Sequence, residues 1–144
     1  MKKPLTITLV IIIILALISL GIWYFYPQKL PQILPENPDM IVVSFPVKDS
    51  QVASPLSISG RARGMWYFEG SFPVSLKDDS GEIIAEGHVT AQGEWMTEEF
   101  VPFLGTLQFN QPVSGSRGIL IFRKDNPSGL AQYDDAIAVP VRFK

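Results

Sequence analysis

His88 and Glu86 lie two residues apart in the run EIIAEGHVTA, an imidazole beside a carboxylate, which is the minimum for a general base or a metal ligand. His88 is the single histidine and there is no cysteine, so a transition-metal set of soft or imidazole ligands cannot be assembled. The pairs Asp78-Asp79 and Asp134-Asp135 offer oxygen ligands of the kind calcium takes, but neither has the spacing of a calcium loop, and both read as turn or strand-end residues. No serine stands in a GxSxG elbow or beside an evident base. Glu69, Glu94, Glu98 and Glu99 could supply the two carboxylates of a glycosidase, and nothing selects two of them. The expectation is a protein that is not an enzyme, with no catalytic residues, no metal and no cofactor.

The densest group of ligand-contacting residue types is GRARGMWYFEGSF, residues 60–72, which holds Trp66, Tyr67 and Phe68 in a row. Even positions from Leu56 to Leu76 are all apolar or glycine, whereas odd positions from Ser57 to Lys77 are mostly polar. Side chains alternate across a strand, so this register predicts Leu56, Ile58, Trp66, Phe68, Phe72, Val74 and Leu76 on a buried face. It sends Tyr67 outward with Arg61, Arg63 and Glu69, and these four are the candidate ligand-binding residues. Gly60, Gly64 and Gly70 mark where the segment could bend.

The elements that must hold this cluster are short alternating runs separated by turn residues, which from Met40 to Lys144 predicts an all-β domain. MIVVSFPV keeps Ile41, Val43, Phe45 and Val47 on one parity, and AIAVPVRFK does so with Ile137, Val139, Val141 and Phe143. Pro140 has no N–H to give, so its backbone should face away from a ladder or lie at an edge. GILIF, residues 118–122, is apolar on both parities and suits a strand covered on both faces. KDDSGE and KDNPSG read as turns.

Upstream, residues 5–26 form a chargeless apolar run of twenty-two residues. As a helix it would be about 33 Å long, the thickness of a bilayer core. Lys2 and Lys3 precede it and Trp23, Tyr24 and Tyr26 close it, which predicts a retained span with residues 1–4 in the cytoplasm and the β domain outside. Residues 27–39 carry prolines at 27, 31, 35 and 38 and read as a semi-rigid spacer. The formal net charge of −2, with no clustered basic surface, argues against a nucleic-acid partner.

Ser54-Pro55-Leu56, Ile58, Gly60, Ala62, Gly64, Trp66, Phe68-Glu69, Phe72, Val74, Leu76, Asp79 and Gly81, with Pro140-Val141 near the end, resemble the bacterial spore-germination immunoglobulin-like domain. The resemblance covers residues 40–144 and implies an immunoglobulin-like antiparallel β-sandwich of about seven strands. It also implies a non-catalytic, envelope-associated module for adhesion or cell-wall contact. Together with the predicted membrane helix, the expected function is binding to a wall polysaccharide or an envelope protein at the cell membrane. The alternative is a structural subunit of a membrane complex recognised through its helix, and the third reading is a cell-wall hydrolase.

Overall fold

The computed structural model describes residues 36–144. The predicted cytoplasmic end, the membrane span at 5–26 and most of the spacer lie outside the described residues, and among the described residues no helix is long and apolar enough to cross a membrane.

Among the described residues eight strands follow one another: β1 (Ile41–Phe45), β2 (Gln51–Val52), β3 (Leu56–Arg63), β4 (Ser71–Asp78), β5 (Ile83–Ala91), β6 (Phe100–Leu107), β7 (Arg117–Arg123) and β8 (Ala136–Phe143). They form one hydrogen-bonded sheet in the order β1-β3-β6-β5-β4-β7-β8-β2, antiparallel except for the short parallel pair β2–β8. This corrects the expectation of two separate sheets with about seven strands.

The sheet is curled into a half-barrel, and side-chain distances show the curl. In a flat sheet β6 and β7, three strands apart, would be separated by about 14 Å. The rings of Phe103 on β6 and Phe122 on β7 are 6.0 Å apart, and those of Phe72 on β4 and Phe103 are 5.1 Å apart. The fold-over comes where β5 and β6 share only the pairs Thr90↔Leu104 and Ala91↔Phe103. Trp66, Phe72, Phe103, Phe122 and Phe143 fill the space enclosed by the two halves.

Most strand readings hold. Leu120, Ile121 and Phe122 are all buried, as expected for a strand flanked by β4 and β8. Ile137, Val141 and Phe143 are buried with Val139 packed against them, and Ala138 on the opposite parity is buried too. The carbonyl of Pro140 accepts from the Asp49 amide, so this residue's backbone does point away from β7, where its missing N–H costs nothing. The opening run is different. Ile41 is buried and Val43 packs on the core, but Phe45 and Val47 are exposed, because a register shift between Val43 and Phe45 ends the alternation.

Both turn readings stand on specific hydrogen bonds. The Asp78 carboxylate accepts from the Ser80 hydroxyl at 2.6 Å and from the amides of Ser80 and Glu82 at 2.9 and 3.0 Å. These donors, the Ser80 hydroxyl first, hold its pKa below the ordinary value. Asn126 donates to Asp134 at 2.7 Å within the turn that joins β7 to β8.

A candidate binding face

The aromatic cluster breaks the two-residue period. Residues Gly64–Trp66 form a 3-10 turn, which rotates each residue by about 120° instead of 180°. Gly64 permits it by close approach: a Cβ here would lie 2.0 Å from the Thr97 carbonyl oxygen and 2.2 Å from that of Trp95. Trp66 still points inward, with its ring edge-on to Phe72 at 5.8 Å. Tyr67 then also turns inward and Phe68 outward, before the alternation resumes with Phe72, Val74 and Leu76 buried on β4.

Tyr67 is therefore 4% exposed and Phe68 41% exposed, the reverse of the sequence expectation for both. The Tyr67 hydroxyl donates to the Val101 carbonyl at 2.7 Å, and burial pushes its pKa up to about 12, partly offset by the Ala62 backbone. This residue joins the turn after β3 to β6 through the core and is removed from the candidate ligand set. Glu69 sits at positive φ (50°) in the turn before Gly70, beyond the end of the strand that carries the arginines.

Arg61 and Arg63 do come together, over a residue that parity had not singled out. Their Cζ atoms lie 5.1 and 4.3 Å from the ring centre of Phe100, which is paired opposite Arg63 on β6. The two side chains then have different tasks. Arg63 donates through Nε to the Asp39 carbonyl at 3.1 Å and through Nη1 to the Glu98 carbonyl at 3.2 Å. Its Nη1 also stands 3.8 Å from a Glu99 carboxylate oxygen. It ties the residues before β1 to the β5–β6 loop and is structural. Arg61 is exposed and, among the described residues, makes no hydrogen bond or ion pair.

Two residues before Arg61 on the same parity of β3, Ser59 lines an open depression of about 660 Å³ on the outer face of the curl. One cross-strand row runs through it from Phe45 on β1 to Ser59, Leu104 and Thr90 on β3, β6 and β5. Ser57, Thr106 and Gln92 add hydroxyl and amide groups around it, and Phe45 and Leu104 are exposed apolar surface. The face combines flat apolar contacts, short hydroxyls and one uncommitted guanidinium. Its chemistry is complementary to apolar ring or chain surface and to an anionic group. Sequence reasoning missed Phe45, Phe100 and Leu104. β6 is apolar on both parities up to Leu104, so periodicity gave no sign of which of its apolar residues faced water.

His88 and Glu86 are exposed on β5, with His88 opposite Pro73. Among the described residues no group of three or more His, Cys, Asp or Glu side chains could hold a metal ion.

No curated protein that was compared matches the sequence. The profile of one family matches residues 40–130, well over half of the chain, and it spans β1 to β7 with the 3-10 turn and the outer-face row just described. By that match the chain belongs to the family of the immunoglobulin-like domain of bacterial spore germination.

Proposed function

We propose that this protein is a non-catalytic binding module of the bacterial cell envelope, held by residues 5–26 in the cytoplasmic membrane with its β domain on the outer side. The ligand class is an anionic wall polymer, contacted through the outer face of β1, β3 and β6. The observation that carries this reading is the Arg61 guanidinium, propped over Phe100 beside an apolar and hydroxyl-lined row, with no acceptor among the described residues. An exposed cation held in place by stacking loses little freedom when it meets a phosphate or carboxylate. Family membership supports the absence of catalysis, and the chargeless run at 5–26 supports the anchor.

The test uses the full chain in zwitterionic nanodiscs, incubated with purified wall polymer. Arg61→Ala is expected to weaken retention about ten-fold, the scale of one charge-assisted contact, with no change in melting temperature. Retention equal to that of the unaltered protein would remove the outer face from the reading. The anchor is tested separately by alkaline extraction of membranes: the full chain stays with the membrane, and deletion of residues 5–26 releases it.

A further inference from the structure

A second surface, opposite in charge to the first, lies at one end of the half-barrel. Three loops converge there: residues 64–70 between β3 and β4, 92–99 between β5 and β6, and 124–135 between β7 and β8. The first is in contact with each of the other two. The Asp125 amide donates to the Trp66 carbonyl at 3.1 Å, and Gly64 is pressed against the backbone of residues 95–97.

The side chains these loops present to water are unusual for a solvated tip. Met65, Phe68, Met96, Leu130 and Tyr133 are all exposed, Met96 by 74%. One such residue is ordinary, but five on three touching loops, two of them methionines, match the adaptable apolar surfaces that proteins use to hold partners. Around them stand Glu69, Glu94, Glu98 and Glu99, all exposed. The nearby cations do not offset these carboxylates in full. Arg63 stands 3.8 Å from the Glu99 carboxylate and Lys124 is directed at the Tyr133 carbonyl at 3.3 Å, so Glu69, Glu94 and Glu98 are left without an ion pair among the described residues, with Arg123 at the end of β7.

We propose that this loop end docks a cationic amphipathic segment of another protein, its apolar side taken by the methionine and aromatic tip and its basic side by the glutamate rim. Charge decides between this occupant and a lipid surface. An anionic bilayer would be repelled by the rim, whereas a lysine- or arginine-rich segment gains from it and is steered towards it. The surface borders the Arg61 face at Glu99 and Phe100, but the proposal does not depend on what that face binds.

The probe is a fluorescent amphipathic helical peptide of lysine and leucine, titrated by anisotropy into the full chain in zwitterionic nanodiscs. A glutamate–leucine peptide of the same pattern serves as control. Binding is expected for the cationic peptide alone, falling steeply with added salt. The triple variant Glu69→Gln, Glu94→Gln, Glu98→Gln should weaken it about ten-fold, three exposed pairs each worth a fraction of a kcal/mol. Met65→Ser with Met96→Ser should weaken it by a similar factor, whereas Arg61→Ala, which removes a cation at the border of the rim, should not weaken it. Equal binding of the two peptides, or a triple variant indistinguishable from the parent, overturns the proposal. So does preferential burial of a probe attached at Met96→Cys in anionic over zwitterionic vesicles, which would make lipid the occupant. The chain has no other cysteine to confuse that label.

Discussion

Tyr67 shows how one hydroxyl converts an expected surface residue into a structural one. Its ring packs edge-on to Phe72 at 5.1 Å and its hydroxyl reaches the Val101 carbonyl, so it links the turn after β3 to β6. Burial favours the neutral phenol. Its folded pKa, about 12, lies above its ordinary value of 10.0, so its contribution to stability is complete below that value and is lost as pH rises towards about 12. Tyr67→Phe is expected to cost about 1 kcal/mol at neutral pH through the lost hydrogen bond. In denaturant titrations stepped across that alkaline window, the parent should lose stability faster than the variant. Parallel curves would show that the phenol is not held neutral by the fold.

At the scale of elements, the 3-10 turn Gly64–Trp66 is the decisive piece, since it resets the phase between β3 and β4. Gly64 was legible as a bend point because glycine interrupts an otherwise regular alternation. That the bend would be a helical turn was not legible, because the reason lies 31 and 33 residues downstream, in the backbone of Trp95 and Thr97 pressed against it. Gly64→Ala would put a methyl group into those carbonyls, and neither can yield without moving the β5–β6 loop. A loss of about 2–3 kcal/mol is expected, which for a domain of this size lowers the melting temperature by about 10–20 °C. Calorimetry checks it, and a variant that melts with the parent would mean the loop is softer than its contacts suggest.

For the whole molecule, stability rests on the sheet meeting itself. Phe103 stands at that meeting, between Phe72 and Phe122, with no exposed surface. Phe103→Ala should cost about 3–5 kcal/mol, the range for a buried aromatic removed from a core. Because both halves of the curl lean on this ring, near- and far-ultraviolet circular dichroism should still report a single transition, shifted to lower denaturant. Separated transitions would show two halves that fold independently.

Period-two alternation and turn residues are local properties, and the sequence alone determined them. They established an all-β domain of short strands, most of its inward residues and the Asp78 and Asn126 turns. Tertiary structure decided the rest. Whether Tyr67 or Phe68 is covered, which apolar residue of β6 stays in water, and whether eight strands form one curled sheet or two stacked ones depend on contacts between residues far apart in the chain. No local period encodes those contacts, because covering a face requires a partner surface that exists only after the sheet has folded over.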